Sequence, residues 1–282
     1  MADSRRQAGS LDVLVLRARF RPQASLAFPF GAAVPVRGAL GFCLPEDIFR
    51  PHRDAGPSGL RDAPRPFVLR VRHLDGKSFV SGESFEIGLN LFAPAMLPVF
   101  EDSLRRLAST GLGPNRIRLD WDGLDVSSET LQLGQADLCR MLEVCFLSPT
   151  EIKGWDEFGL PPFEVLAARA RDRVSALSAL YGRGALDLDF RGLAGRARSV
   201  RAVSGELTRI LANRTSSRTG QTHPLGGVIG SVRYAGELSE FVPLLLAACR
   251  TGVGRQTVWG HGEIAIHPSL GTPISRSAPI AT

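Results

Sequence analysis

One succession of strand-like and helix-like patterns occurs twice along the chain, and it is the feature that most constrains the fold. Apolar runs with period-two alternation predict strands, and apolar residues at helical spacing predict the helices between them. The first block predicts strand 11–20, helix 36–49, strands 66–74 and 83–92, helix 97–110 and strand 115–126. Pro98 suits the first turn of the second helix, and Gly111 suits its end. The predicted order is therefore β-α-β-β-α-β.

The second half repeats that order. It predicts strand 137–150, helix 161–182, strands 200–211 and 225–236, helix 239–249 and strand 256–266. The helix at 161–182 has the clearest apolar stripe, and its Arg169, Arg171 and Arg173 fall opposite that stripe, on a face expected to be solvated. Two such units in succession predict an α+β fold of two tandem ferredoxin-like domains, each with two helices on one face of a four-stranded antiparallel sheet. We expect a first domain at 1–130, a second at 131–270 and a disordered tail at 271–282.

Composition excludes several protein classes. The 282 residues contain no apolar run long enough to span a bilayer, and the first ten residues lack the apolar core of a signal peptide. We therefore expect a cytoplasmic protein without a membrane partner. The four cysteines are scattered and form no C-x-x-C pair, so neither a zinc knuckle nor a disulfide framework is predicted.

Positive charge is concentrated in one region. Residues 191–224 contain seven arginines against the single acidic residue Glu206, which accounts for the whole formal charge of +6. Clustered arginine favours a polyanionic partner. The alternative is a solvated loop in an arginine-rich protein, since the chain has only two lysines, Lys77 and Lys153.

Four glycines lie near the carboxyl end, in "GVGRQTVWGHGEI" at 252–264. The order here is helix, glycine-rich loop, strand, whereas a nucleotide-binding loop requires strand, loop, helix, so that class of site is excluded. Glycine can bring a ligand close to main-chain N–H groups, and Arg255 would add a donor for phosphate. A plain helix end would explain Gly252 or Gly254, but not Gly260 and Gly262 inside a predicted strand.

These motifs together resemble the CRISPR-associated endoribonucleases of the RAMP superfamily, which cut precursor CRISPR RNA within its repeats. The resemblance covers most of the chain. It rests on "RGALGFCL", "GPSGLRDAPRPFVLR" and "SGESFEIGLNLF" in the first half, on "FLSPTEIK", and above all on "NRTSSRTGQTHPLGGVIGSVRYAGEL" and the glycine loop. It implies tandem ferredoxin-like domains that bind repeat RNA between them, with the glycine loop packed on RNA or on the facing domain.

The resemblance also implies a chemistry without metal or cofactor, in which the 2′-hydroxyl attacks the adjacent phosphate and leaves a 2′,3′-cyclic phosphate. Repeat RNA is the implied partner, and association with subunits of a CRISPR effector complex or with a second copy of the chain stays open. The alternative metal site, at Asp120, Asp122 and Asp125, is more simply a solvated strand face.

Two histidines are the candidate catalytic residues. The family's catalytic histidine follows the first helix, and His52 in "FRPHRDAG" matches that place; the alternative is an ordinary loop histidine. His223, at the end of the polar connection, is the second candidate. His261, between two glycines, is expected either to touch RNA or to be buried.

The predicted RNA-binding residues are arginines, glycines and one serine. Guanidinium groups stay protonated and bind phosphate with two donors, which favours them for binding over proton transfer. The predicted set is Arg37, Arg214, Ser217, Arg218, Gly252, Gly254, Arg255, Gly260 and Gly262. Trp259 is expected either to stack on a base or to pack in the core.

Two other functions remain open at this point. A RAMP-type subunit could bind RNA without cutting it, with the same arginines. A two-domain ferredoxin-like regulator could bind a small metabolite, and its affinity would lack the steep salt dependence of phosphate binding.

Overall fold

The computed structural model describes residues 9–50, 63–134, 137–155, 159–211, 213–215, 222–224 and 226–270, and within 213–215 and 222–224 the description is of the backbone. The predicted disordered tail at 271–282 lies outside these residues. No helix in the described ranges is long and apolar enough to cross a membrane.

The first unit contains a four-stranded antiparallel sheet with its helices on one face. Its elements are β1 (Ser10–Pro22), β2 (Leu26–Ala27), α1 (Ala33–Leu40), α2 (Glu46–Phe49), β3 (Phe67–Arg70), β4 (Ser78–Phe79), β5 (Phe85–Leu91), α3 (Leu97–Thr110) and β6 (Leu119–Gln132). The strand order in the sheet is β3-β5-β1-β6, and β2 pairs with β4 in a separate short ribbon. This is the ferredoxin-like order predicted from the sequence.

The second unit repeats the arrangement. Its elements are β7 (Met141–Thr150), α4 (Phe163–Tyr181), α5 (Phe190–Ala197), β8 (Arg201–Ile210), β9 (Asn213–Thr215), β10 (Thr222–Pro224), β11 (Gly227–Ala235), α6 (Val242–Thr251) and β12 (Ile264–Ser269). The sheet order is β12-β7-β11-β8, and β9 pairs with β10 in a hairpin between β8 and β11. The predicted fold class is confirmed, whereas the helix α5 was not predicted.

Helix periodicity predicted α3 correctly. In α3 the residues at helical spacing, Phe100, Leu104 and Leu107, are fully buried, and the helix ends at Gly111 with φ +84°. The predicted first helix is divided in two, because Pro45 stands between α1 and α2 and cannot continue a helical hydrogen-bond ladder.

One of the two apolar cores also joins the units. The first core lies between the sheet of the first unit and its helices. The second core fills the second unit and includes Leu11, Val13 and Val68 from the open face of the first sheet. Part of that face is thus covered by α4 and α6 of the second unit. The chain passes from one sheet to the other between Gln132 and Met141, and the domain bounds given above stay predictions.

Candidate nucleic-acid interface

The glycine loop, residues 252–262, connects α6 to β12 and is not part of a strand. Gly252, Gly254, Gly260 and Gly262 all have φ between +68° and +81°, a region that side chains disfavour. A 3-10 turn at Thr257–Trp259 lies between the two glycine pairs, and the strand begins only at Ile264. The prediction of a strand over 256–266 is therefore wrong before residue 264.

This loop is packed closely against its own domain. A Cβ added at Gly254 would overlap the carbonyl oxygen of Glu151, and one at Gly262 would overlap that of Val253. The Gly262 N–H donates to the Pro149 carbonyl at 3.0 Å, and the Val253 N–H donates to the Gly262 carbonyl at 2.9 Å. The glycines are thus required by backbone packing, and their predicted contact with RNA stays a prediction.

The loop also contacts the first domain. A Cβ at Gly260 would lie 2.9 Å from the Cβ of Ala33 in α1. The guanidinium carbon of Arg37 lies 3.7 Å from the ring centroid of Trp259 and 4.3 Å from that of Phe49. Arg37 is only 8% exposed. The structure thus shows this predicted RNA-binding residue between two aromatic rings, one from each domain, and Trp259 is a packing residue.

Three side chains bind the last carbonyl groups of α6, just before the loop. Arg70 donates to the carbonyls of Cys249 and Arg250 at 3.0 and 2.8 Å, and Asn90 donates to that of Arg250 at 2.9 Å. Arg173 of α4 donates to the Thr251 carbonyl at 2.6 Å, and burial lowers its pKa to about 9. The expectation of a solvated face is therefore wrong for Arg173. These contacts, with the Arg37–Trp259 pair, are called the interdomain joint below; the Arg173 bond lies within the second domain, and the others join the two domains.

Arg255 has a partner within its own domain. Its guanidinium lies 2.8 Å from the Glu151 carboxylate, and its side chain is more than half exposed. The ion pair holds the loop to the end of β7, so phosphate binding by Arg255 would have to compete with a carboxylate.

The hairpin of β9 and β10 carries two of the predicted site residues. The backbone register pairs Arg214 directly with His223. Ser217 and Arg218 lie outside the described residues, as does His52. Phe49, three positions before His52 in the chain, packs on Arg37, which also packs on Trp259 of the glycine loop.

The arginine-rich region is only partly available to a ligand. Arg196 is paired with Glu240 at 2.7 Å, and the hydrogen bond raises its pKa. Arg191, Arg198 and Arg201 are exposed, and across the described ranges none of their guanidinium groups is paired with a carboxylate. These three residues, on α5, after it and at the start of β8, are called the arginine arm below.

A cavity of about 600 Å³ opens between the two domains beside the glycine loop. Its walls include the first-domain turn at 29–35 and Trp259, Gly260 and His261 of the loop; Ile210, at the end of β8, also lines it. The loop and the base of the hairpin therefore face the same cavity. This cavity is called the interdomain cavity below.

His261 is the functional candidate that sequence reasoning left undecided. It is 9% exposed, it lines the interdomain cavity, and burial lowers the pKa of its imidazole to about 4. The ring is therefore neutral at pH 7, with one nitrogen as donor and one as acceptor. The flanking glycines, both at positive φ, were the available signal that His261 belongs to a turn and not to a strand.

The aspartates considered as a metal site are engaged with basic or amide groups. The carboxylates of Asp120, Asp122 and Asp125 accept hydrogen bonds from Gln23, Arg21 and Arg19, respectively, which lie in β1 or directly after it. Within the part of the chain that the structure describes, no three His, Cys, Asp or Glu side chains converge as metal ligands would. The aspartates form a paired, solvent-facing row.

Two family models match parts of the chain. Residues 144–264 match the family model of the CRISPR-associated endoribonuclease Cas6, and residues 42–136 match a model described as the N-terminal domain AF_1859_N. The first of these ranges contains the hairpin and the glycine loop. The resemblance inferred from the motifs is thereby confirmed. No curated protein sequence matches the chain.

Solved structures agree with the fold over nearly the whole chain. The product complex of Cas6 (TTHB231) has a TM-score of 0.58 at 16% identity and covers 93% of this chain and 100% of its own. Thermus thermophilus Cas6 (TTHB231) gives 0.57 at 14% identity over 92% and 100%. A partial Cas6-RT-Cas1–Cas2 complex gives 0.57 at 13% identity, with 92% of this chain and 46% of that chain covered. At these identities the likeness shows the fold.

Proposed function

We propose that this chain, with its Cas6-family match over residues 144–264, is a metal-independent endoribonuclease that cuts CRISPR repeat RNA in precursor transcripts. The observation that carries the proposal is the position of the family-matched loop. Through Trp259 and Arg37 it is attached to Phe49, at the start of the segment that contains the candidate base His52. A site assembled from both domains suits a substrate that lies between them.

The proposed reaction requires one base, one acid and cationic support. The base removes the proton of a 2′-hydroxyl, whose oxygen forms a bond to the adjacent phosphorus. The bond from phosphorus to the 5′-oxygen breaks, and the acid gives that oxygen a proton. The products are a 2′,3′-cyclic phosphate and a 5′-hydroxyl, and no water or metal ion enters the balance. Guanidinium groups would stabilise the charge that develops on the phosphoryl oxygens.

Specific residues are proposed for these roles. His52 is the proposed base, with His223 as the alternative, because His223 is paired in register with Arg214 on the hairpin. Arg214 and Arg218 are proposed to bind phosphate. Partners follow from the solved likenesses: Cas6 in a product complex supports RNA as the ligand, and the Cas6-RT-Cas1–Cas2 assembly supports association with other CRISPR proteins.

Cleavage of native repeat RNA tests the proposal. The purified chain in EDTA should convert the repeat RNA of its own genome into fragments with 2′,3′-cyclic phosphate ends. The same RNA with 2′-fluoro groups throughout has no nucleophile and should be bound intact. RNA that is bound tightly but stays uncut would identify a binding subunit. Cutting that appears only after Mg²⁺ is added would contradict the proposal that the reaction needs no metal.

Single variants then assign the base. His52→Ala should lower the single-turnover rate by about 10²- to 10⁴-fold while affinity for the 2′-fluoro RNA is retained. His267→Ala, at an exposed position of β12, is the matched control and should cut normally. A comparable loss in His223→Ala with normal His52→Ala cutting would transfer the role to the hairpin.

A further inference from the structure

Phe30 is 89% exposed, yet the turn that carries it is fixed. The Asp75 carboxylate accepts hydrogen bonds from the N–H groups of Gly31 and Ala32 at 3.2 and 2.8 Å, and the Phe28 N–H donates to the Lys77 carbonyl at 2.8 Å. An exposed aromatic ring adds little to stability because it buries little area. An aromatic ring held in place at the surface is the arrangement on which nucleic-acid bases stack.

The Phe30 ring also has a defined position against the turn at Gly76. Three of its atoms would lie 3.2 to 3.5 Å from a Cβ at Gly76, so the missing side chain leaves room for the ring over that turn. In this position Phe30 lines the interdomain cavity, together with Trp259 and His261 of the other domain. The volume of about 600 Å³ lies within the range of roughly 300–1,000 Å³ typical of small-ligand sites.

The polar side chains on the cavity wall include His261 and Arg72. The buried imidazole of His261 is neutral at pH 7 and can offer one donor and one acceptor to the edge of a base. The Arg72 guanidinium also lines the cavity and is half exposed; its nearest carboxylate oxygen, on Glu263, is 3.9 Å from Nε, beyond hydrogen-bond distance. Its donors suit a phosphate. Asp75, the acidic residue on this wall, already accepts two N–H groups.

We propose that the interdomain cavity binds one unpaired nucleotide of the RNA, with its base stacked on Phe30, its base edge at His261 and its phosphate at Arg72. The inference rests on the proposed function in that RNA is the ligand. It adds a specificity site at the junction of the domains, adjacent to the base of the hairpin. A nucleotide held here would fix the register of the RNA relative to both domains.

The test is a binding cycle between protein and RNA variants, with the uncuttable 2′-fluoro repeat RNA as probe. Phe30→Ala should weaken binding by between about 5-fold and 150-fold, the effect of losing one stacked base. Phe30→Tyr keeps the ring and should bind within about twofold of the wild type. Phe42→Ala is the matched control, because Phe42 is 72% exposed in the same domain but lines a different cavity.

An abasic scan then identifies the nucleotide. One RNA position without its base should lose as much affinity as Phe30→Ala, and the variant should lose nothing further with that RNA. The pocket would be overturned if Phe30→Ala binds as tightly as the wild type, or if its loss of affinity adds to that of the missing base at every RNA position. Cleavage of native RNA by the wild type would still support the proposed function in that case. If one RNA position shows this non-additive loss but native RNA is never cut, the pocket is supported and the proposed function is overturned. A wild-type chain that binds neither the native nor the 2′-fluoro RNA overturns both.

Discussion

The arginines of the interdomain joint and those of the arginine arm have the same chemistry and opposite surroundings. In the joint, Arg37 lies between two aromatic rings, and Arg70 and Arg173 donate to the carbonyl groups that end α6. In the arm, Arg191 and Arg201 face solvent. A guanidinium that already has buried partners holds the protein together, whereas an exposed one can exchange water and counterions for phosphate. Charge clustering along the sequence therefore indicates a ligand only where the structure leaves the charge exposed.

Loss of the ring at the joint should have the largest effect on stability. Trp259→Ala should lower the free energy of unfolding by about 3 kcal/mol, because it removes a large packed ring and one half of the Arg37 contact. Trp259→Phe keeps an aromatic face and should lower the free energy of unfolding by about 1 kcal/mol. Denaturant unfolding of Arg37→Ala, Trp259→Ala and the double variant should give a coupling energy of about 1–2 kcal/mol.

The same cycle can break the comparison. If Arg37→Ala has the wild-type free energy of unfolding but weakens RNA binding and flattens its salt dependence, Arg37 behaves as an arm residue. Its aromatic contacts then contribute little to stability. Additive losses in the double variant would mean that the two side chains act separately.

The sequence predicted the elements because their signals are local. In α3 the apolar spacing, Pro98 and Gly111 lie within one short segment and define the helix without reference to the rest of the chain. The helix α5 was missed because two glycines in "FRGLAGRA" lower its helix propensity; its cap, the Asp189 carboxylate accepting from the Gly192 N–H at 2.9 Å, was a readable signal.

The joint could not be predicted, because it depends on contacts between distant parts of the chain. Nothing near Arg37 in the sequence indicates that Trp259 will cover its guanidinium. The glycine loop was assigned to a strand since "QTVW" has strand-like composition, whereas positive φ at Gln256 and at the glycines forms a turn there. The glycine loop and its packing on the facing domain, as one of two alternatives, were predictable, and the residues that it contacts there were not.

The pH dependence of stability is expected to show how well the glycine loop shields the imidazole of His261 from water. The folded-state pKa of His261, about 4, is below the ordinary histidine value of 6.5, so between these values the unfolded chain binds a proton that the folded chain does not. The free energy of unfolding should therefore fall as pH falls from 7 to 5, by about 2 kcal/mol from this residue. His261→Gln should remove that part of the slope.

Unfolding free energies of the two proteins, measured at several pH values between 7 and 5, test this prediction. Wild type and His261→Gln should diverge as the solution is acidified, with the wild type losing more. Parallel curves would mean that water reaches the imidazole in the folded protein, so the glycine loop would be more open than the 9% exposure of His261 indicates.

The arginine arm should produce the smallest change, and only in RNA binding. Replacing Arg191, Arg198 and Arg201 by Gln should weaken repeat-RNA affinity by about 10-fold near 0.15 M salt and reduce the slope of log K against log salt by about 2. The free energy of unfolding should stay within about 0.5 kcal/mol, since exposed side chains are replaced. The matched control replaces Arg105, Arg140 and Arg183, which are exposed and paired with carboxylates, and so removes the same net charge.

The control separates location from total charge. If both triple variants lose the same affinity and slope, RNA senses only the overall field of the protein, and the arm is no more a binding surface than any other arginine-bearing face. A loss confined to the arm variant means that phosphates lie along α5 and the start of β8. Because the joint arginines are excluded from such contacts by their partners, the RNA would then have to run outside the joint.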